Sequence, residues 1–365
     1  MKKYFLLLLN LIFASQLQAQ NFNLIIGTYT NKGTSEGIYV YDYNSKTAET
    51  KLKSIAKGVV DPSYLAVSKD KKFVYSVNER GSKSAISAFS FDSGNLNFIN
   101  QKPSAGADPC YVAVDDQHVI LANYSGGNIS VFGRNADGSL TDVKQVIQHM
   151  GKSIDPKRQL SAHVHQIQFT PDKKYMICND LGEDQIYIYN YDPKSKNNVL
   201  SVKTVIKTNA GSGPRHLTFS PNGKFAYLTH EFNGSITSFS YANGSLNKIQ
   251  EIASTPNDFT GKIDGADIHT SADGKFLYET NRGDANTIAV FAIDAKGILK
   301  LVEIVSTLGK GPRNFSIDPS GNFLLVAHQY TNNVVIFNRD QITGKLKASG
   351  KTIDISSPVC LIFSR

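Results

Sequence analysis

The stretch GPRHLTFSPNGKFAY at residues 213–227 recurs along the chain. A close copy, GPRNFSIDPSGNF, lies at residues 311–323, and looser copies occur elsewhere. Each copy joins two runs of alternating apolar residues through a polar or glycine-containing turn, which is the pattern of two short antiparallel strands. Aligned on the proline of this template, seven copies begin 46 to 55 residues apart, at Pro62, Pro109, Val164, Pro214, Gly265, Pro312 and Pro358.

A unit of about fifty residues with four short strands is typical of a β-propeller blade. The last copy ends at Arg365 after one strand, and the run at residues 24–29 resembles the second strand of a blade. One blade assembled from both chain ends closes the ring and removes exposed sheet edges. The sequence therefore predicts an all-β, seven-bladed β-propeller, with another large all-β fold as the alternative. Because the chain has no tryptophan, the blades are not Trp-Asp repeats.

Residues 1–20 have the layout of a secretory signal peptide, with a basic start, an apolar run from Phe5 to Ala14, and small or polar residues before Gln20. The apolar run is about half as long as a membrane span requires. The alternative is a retained N-terminal anchor. We expect residues 21–365 to form one propeller domain, periplasmic or secreted, with no membrane contact after cleavage.

Charge and cysteine content exclude several classes of protein. The formal net charge is +8, but the lysines are scattered through turns, which argues against nucleic-acid binding. Cys110, Cys178 and Cys360 are an odd number without a Cys-x-x-Cys pattern, so buried thiols are favoured over one disulfide plus a free thiol. No metal-binding motif occurs, and we predict no metal and no cofactor. Nothing in the sequence indicates an oligomeric state.

The repeat predicts which residues meet at the central channel, because the first strand of a blade starts on the face where the second strand ends. The positions near the starts of the first strands are Ser63, Cys110, His165, Arg215, Ala266, Arg313 and Val359. The positions after the second strands are Glu79, Tyr124, Leu181, Glu231, Arg282 and Gln329. Ionisable residues are concentrated in neighbouring blades, at His165, Arg215, Glu231, Arg282 and Arg313.

These residue types suit the binding and opening of an ester-like anion. Arginine presents a fixed fork of donors that matches an anion or a developing oxyanion. Histidine titrates near neutrality and can accept a proton from water. Each residue also has a structural interpretation: an inter-blade bracket for Arg215 and Arg313, a rim salt bridge for Glu231 and Arg282, and a core histidine for His165.

Other chemistries have weaker support. No Gly-x-Ser-x-Gly motif occurs, which argues against a serine hydrolase. His163 and His165 share one face of a predicted strand, but no third metal ligand is evident.

Six motifs, in order, resemble those of the seven-bladed lactonase family, which includes propeller-type 6-phosphogluconolactonases and muconate lactonizing enzymes. They are NYSGG at 123–127, HVH at 163–165, GPRH at 213–216, HE at 230–231, NR at 281–282 and GPR at 311–313. The resemblance implies a catalytic set of one histidine, two arginines and one glutamate, which match His165, Arg215, Glu231 and Arg282. We expect substrate contacts from Asn123, Tyr124, His163 and Arg313.

The resemblance implies a hydrolase that opens a sugar lactone. Arg215 and Arg282 would hold the substrate anion or carbonyl oxygen, and either His165 or Glu231 would activate water. Because phosphorylated sugars are scarce outside the cytoplasm, export favours an unphosphorylated sugar lactone or a uronolactone. The alternatives are a lactone cycloisomerase that uses the same residues and a non-catalytic propeller that binds a ligand or partner.

Overall fold

The computed structural model describes residues 21–364, which form seven four-stranded antiparallel sheets. The predicted signal peptide, residues 1–20, lies outside the described residues, as does Arg365. Within the described part of the chain, the helical element is a 3₁₀ turn at Gly81–Lys83, and no helix is long and apolar enough to cross a bilayer.

The strands follow the blades in chain order. Blade 1 contains β1 (Asn21–Thr28), β2 (Gly37–Asn44) and β3 (Thr50–Lys57). Blade 2 contains β4 (Leu65–Val67), β5 (Phe73–Asn78), β6 (Ala85–Asp92) and β7 (Asn95–Pro103). Blade 3 contains β8 (Pro109–Val114), β9 (His118–Asn123), β10 (Asn128–Arg134) and β11 (Leu140–Gln148). Blade 4 contains β12 (Val164–Phe169), β13 (Tyr175–Asp180), β14 (Gln185–Tyr191) and β15 (Leu200–Lys207).

The remaining blades repeat this order. Blade 5 contains β16 (Pro214–Phe219), β17 (Phe225–His230), β18 (Ser235–Ala242) and β19 (Ser245–Ala253). Blade 6 contains β20 (Gly265–Thr270), β21 (Phe276–Asn281), β22 (Thr287–Ile293) and β23 (Leu299–Ser306). Blade 7 contains β24 (Pro312–Ile317), β25 (Phe323–His328), β26 (Asn333–Arg339) and β27 (Leu346–Asp354), and the chain ends with β28 (Pro358–Ser364).

The two ends of the chain share blade 1, as the repeat predicts. Strand β28 pairs antiparallel with β1, with Ile25 opposite Ile362. The predicted starts of the repeats coincide with the first residues of the first strands in six blades. The exception is blade 2, where β4 begins at Leu65, three residues after the predicted Pro62. The prediction of a seven-bladed propeller closed by both termini is confirmed.

The turn in the repeat is held by one recurring hydrogen-bond pattern. In blade 5, Ser220 Oγ accepts the backbone N–H of Phe225 at 3.0 Å and donates to Asn222 Oδ1 at 2.8 Å. Gly223 in this turn has φ +69°, a value that glycine adopts without a Cβ penalty. The same local bonding explains why Ser, Asn or Asp and Gly recur at this spacing.

The core consists of apolar clusters between neighbouring blades. Between blades 7 and 1, for example, Leu24 and Tyr43 pack with Leu325, and all three side chains are fully buried. Burial of one such large apolar side chain stabilises the fold by about 1.5–3 kcal/mol. Cys110, Cys178 and Cys360 are buried free thiols, in agreement with the favoured interpretation.

β-Bulges at the starts of the first strands aim side chains at the channel. The pairing of β16 with β17 passes from Pro214 to His216, so Arg215 has no partner in the ladder. His165 and Arg313 occupy the same unpaired position in blades 4 and 7. Because a bulge leaves one residue outside the strand pairing and re-aims its side chain, this irregularity accounts for the placement of these three candidate site residues.

Candidate active site at the channel mouth

A cavity of about 180 Å³ lies where the first strands begin and the second strands end. Every lining residue comes from one of these positions except Arg158, which belongs to a loop. The lining residues are Tyr29, Glu79, Cys110, Tyr124, Arg158, His165, Glu231, Arg282 and Arg313. The volume lies below the roughly 300–1,000 Å³ of drug-sized sites, so the cavity suits a ligand of monosaccharide size.

Glu231 is the centre of a buried ion-pair network. Its Oε2 accepts hydrogen bonds from Arg215 Nε at 3.0 Å and from Arg282 at 3.1 Å, while its Oε1 accepts one from Arg158 at 2.6 Å. Burial raises the pKa of the Glu231 carboxyl, but Arg282, Arg215 and Arg158 outweigh it and lower the pKa to about 2. Glu231 is therefore a carboxylate with both oxygens occupied.

Arg215 and Arg282 each also donate a hydrogen bond to a group other than Glu231. Arg215 is 1% exposed, lies beneath Glu231 and does not line the cavity, and its guanidinium donates to the Ala266 carbonyl oxygen. Arg282 lines the cavity and also donates to Asp264 Oδ1 at 2.7 Å. Burial, Arg282 and Arg313 lower the pKa of Arg215 to about 10, so this guanidinium stays charged at neutral pH.

His165 lies beside this network as a neutral imidazole. Its Nε2 is 3.9 Å from Glu231 Oε2, which is too far for a hydrogen bond. Burial lowers the pKa of His165 well below the ordinary value, and the nearby Arg215 lowers it further. Cys110 Sγ contacts the backbone oxygen of His165 at 3.2 Å, and burial raises the pKa of the Cys110 thiol, which keeps it protonated.

Of the four residues predicted to contact the substrate, two line the cavity and two do not. Tyr124 and Arg313 line the cavity. His163 does not; its ring stacks on Tyr124 with centroids 4.5 Å apart and supports that side chain from outside. Asn123 does not reach the cavity either, because its Nδ2 donates to Asn128 at 2.7 Å and to Ser130 at 2.9 Å within blade 3.

Arg158, which was not among the predicted site residues, lies in the long segment between β11 and β12. That segment is longer than the other connections between blades in residues 21–364 and lies outside the repeated strands, so no repeat position pointed to it. Hydrogen bonds fix the conformation of this segment. Asp155 Oδ1 accepts the N–H of Arg158 at 2.9 Å, and the buried Gln159 donates to the Leu181 carbonyl at 2.8 Å. Arg158 also donates to the Tyr124 hydroxyl at 3.1 Å and so bridges blades 3 and 5.

Tyr29 could have been found from the sequence. Strand β1 is the second strand of blade 1, and Tyr29 directly follows it. It therefore occupies the same position as Glu79, Tyr124, Glu231 and Arg282 in their blades. The repeat alignment omitted this position because blade 1 has its first strand at the other end of the chain.

A second polar cluster, His149, Asp180 and Glu183, fixes the start of the same loop. Their potential ligand atoms lie within 4.8 Å of one another. His149 bonds to Asp180 at 2.7 Å and to the Tyr189 hydroxyl at 2.7 Å, while Glu183 accepts the N–H of Gly151. We interpret the cluster as the hydrogen-bonded anchor of the loop that carries Arg158.

Fold and cavity together define a β-propeller with a charged, monosaccharide-sized site at its channel mouth. The chain belongs to the family described as lactonase, 7-bladed β-propeller, which it matches over residues 23–363. It is 37% identical to a 6-phosphogluconolactonase of Bacillus subtilis over 345 residues, covering 93% of this chain and 97% of that protein. It is also 37% identical to a 6-phosphogluconolactonase of Formosa agariphila, covering 89% and 94%.

A solved structure extends the comparison to a periplasmic protein. The periplasmic gluconolactonase of Pseudomonas aeruginosa is 36% identical and superposes with a TM-score of 0.91, covering 95% of this chain and 99% of that one. Family membership makes the chain an enzyme of the lactone-hydrolysing class, as its motifs indicated.

The free energy of unfolding is expected to fall in mild acid, because the protein contains buried neutral histidines. Burial lowers the pKa of His230 and of His216 to about 4 each, against about 6.5 in the unfolded chain. The unfolded state then binds more protons, so the free energy of unfolding falls as pH drops from about 6.5 to about 4, by about 3 kcal/mol per histidine in full. We expect His230→Gln to reduce this loss in urea titrations at pH 7 and pH 5.

His269 provides a control of opposite sign. Asp267 raises the pKa of His269 although the ring is partly buried, so its contribution is present at low pH and is lost as pH rises through the raised pKa. His269→Gln should therefore make the acid loss larger. An unchanged pH dependence in His230→Gln would contradict the assignment of a buried neutral imidazole.

Proposed function

We propose that the protein hydrolyses a sugar lactone at the channel mouth, with His165 as the general base. The supporting observation is the contrast between His165 and Glu231. Both oxygens of Glu231 are bonded to arginines and its pKa is lowered to about 2, which makes it a poor proton acceptor. His165 lines the cavity as a neutral imidazole, and its Nε2 lies 3.9 Å from Glu231 Oε2, too far for a hydrogen bond that would occupy its lone pair, so this nitrogen can accept a proton.

In the proposed reaction, His165 removes a proton from water as the water oxygen attacks the lactone carbonyl carbon. The guanidinium of Arg282 stabilises the negative charge that develops on the carbonyl oxygen. Collapse of the tetrahedral intermediate breaks the bond between the carbonyl carbon and the ring oxygen, and the imidazolium returns its proton to that oxygen. Glu231 holds Arg282 and Arg158 in place, and Arg215 supports Glu231 from below.

The proposed substrate class is based on the relatives and on the predicted export. The relatives named above act, by their names, on gluconolactone or its 6-phosphate. Because residues 1–20 predict export, we propose an unphosphorylated sugar lactone as the natural substrate and a periplasmic or secreted location.

Proton release from D-glucono-1,5-lactone, its 6-phosphate and a uronolactone tests this function. The protein should accelerate hydrolysis of at least one lactone above the spontaneous rate, and a folded His165→Gln, Arg282→Gln double variant should not. In H₂¹⁸O, hydrolysis places one labelled oxygen in the product carboxylate, whereas a cycloisomerase places none. No acceleration on any lactone would overturn the hydrolase and favour a binding propeller.

A further inference from the structure

The half of the cavity away from Glu231 is built from blades 1, 2 and 7 and takes no part in the proposed chemistry. Tyr29, Glu79 and Arg313 supply it. The Tyr29 hydroxyl donates to Glu79 Oε2 at 2.9 Å, and the Arg313 guanidinium lies 5.5 Å from the centre of the Tyr29 ring. These three side chains form one contiguous wall, which we call the Glu79 wall.

The charges of the Glu79 wall are not neutralised by ion pairs. Among residues 21–364, no Lys, Arg or His nitrogen lies within the 4.0 Å ion-pair distance of Glu79, and no carboxylate lies within that distance of Arg313. By contrast, Glu231 pairs with three arginines. The only side-chain hydrogen bond of Glu79 in this part of the chain is the one from Tyr29. Its carboxylate therefore has acceptor capacity left over inside the cavity.

An ionised carboxylate accepts hydrogen bonds and cannot donate them, so it matches the hydroxyl groups of a polyol and repels a phosphate or carboxylate. Arg313 is a donor only and matches the oxygens of the same hydroxyl groups. A carboxylate beside a guanidinium thus presents an acceptor and a donor to neighbouring hydroxyls, each of which can both donate and accept.

We propose that Glu79, positioned by Tyr29 and assisted by Arg313, binds hydroxyl groups of the substrate and selects a polyhydroxylated lactone. This inference rests on the proposed lactone hydrolysis at the same site. The wall determines specificity, because it discriminates lactones by their hydroxyl groups while the Glu231 side of the cavity carries out ring opening.

The test compares kcat/KM for D-glucono-1,5-lactone with that for δ-valerolactone, a lactone of the same ring size without hydroxyl groups. Glu79→Ala should lower the value for gluconolactone by about 10- to 100-fold, the range expected for a hydrogen bond to a charged group. It should leave δ-valerolactone nearly unchanged. Glu79→Gln, which retains one acceptor oxygen, should lose less, and Tyr29→Phe should lose about 3- to 10-fold by the loosened carboxylate.

Two further comparisons sharpen the result. Glu36→Gln, which removes an exposed carboxylate paired with Lys57, is the control and should leave the ratio of the two kcat/KM values unchanged. In Glu79→Gln, the preference for gluconolactone over its 6-phosphate should fall, because the repulsion of the phosphate is removed. Circular dichroism of each variant separates a loss of fold from a loss of specificity.

The failures of this inference and of the proposed function can be told apart. If the unsubstituted protein turns over lactones but Glu79→Ala and Tyr29→Phe reduce both substrates equally, Glu79 has only a structural role and this inference is overturned. A wild-type preference for the 6-phosphate that Glu79→Gln leaves unchanged would overturn it as well. If the unsubstituted protein turns over no lactone, the proposed function falls and this inference falls with it.

Discussion

Replacement of His165 by glutamine is expected to lower kcat on the best lactone substrate by about 10²- to 10⁴-fold, the usual contribution of a positioned general base. The reason is that His165 is the neutral imidazole in the cavity, whereas the lowered pKa of Glu231 removes that carboxylate as an alternative base. KM should change less than kcat, because the binding donors Arg282 and Arg313 remain. Single-turnover proton release at pH 7 measures the effect.

His163 is the matched control for His165. It lies two residues away, and its Nδ1 is 3.0 Å from the Tyr124 backbone oxygen, but it does not line the cavity. His163→Gln should therefore reduce kcat by less than about 10-fold, through a less firmly held Tyr124. Equal losses in the two variants would contradict the assignment of His165 as the base. Full activity in His165→Gln would shift the role to another group.

Replacement of Glu231 by glutamine is expected to lower the free energy of unfolding by about 3–5 kcal/mol and to abolish most turnover. Removal of one partner of a buried ion pair leaves an uncompensated buried charge. Among residues 21–364, Glu231 is the only carboxylate paired with the buried Arg215, and Arg282 would keep only Asp264. Urea unfolding at pH 7, with kcat measured on the same preparations, tests both effects.

A second substitution separates the effect of the unpaired buried charge from the effect of losing the Glu231 carboxylate. Adding Arg215→Met to Glu231→Gln removes the unpaired buried charge, so stability should partly recover while activity should not. The exposed pair of Lys57 and Glu36 is the comparison, and Glu36→Gln should change stability by less than about 1 kcal/mol. A change of that small size in Glu231→Gln would show that the network contributes little to the fold.

Much of the architecture could be predicted because each blade is encoded locally. The Ser220 turn is formed by residues within a few positions of one another, and the pairing of Pro214 with His230 spans only sixteen residues. Such short-range patterns repeat visibly in a sequence. The closing strand was also predictable, since the run at residues 24–29 lacks its first strand and Pro358 starts a repeat that the chain end cuts short.

The limits of prediction lie in side-chain contacts, both within a blade and between blades. Asn123 was placed correctly on its strand, but the sequence could not tell that its amide would bond to Ser130 within the blade. Arg215 and Glu231 were both expected at the channel, yet their depths differ, with Arg215 underneath and Glu231 lining the cavity. Arg158 reaches Glu231 across 73 residues of sequence from a loop outside the repeat.

The sequence by itself determined the number of blades, the way the ring closes and the ring of positions from which the site is drawn. These depend on strand periodicity and turn chemistry, which act between near neighbours in the chain. The tertiary structure alone decided how these side chains interact: Glu231 bonds to three arginines, His165 is neutral, and Glu79 has no ion-pair partner within residues 21–364. The physical reason is that burial and charge proximity, which set hydrogen bonding and pKa, arise only when blades far apart in sequence meet around one axis.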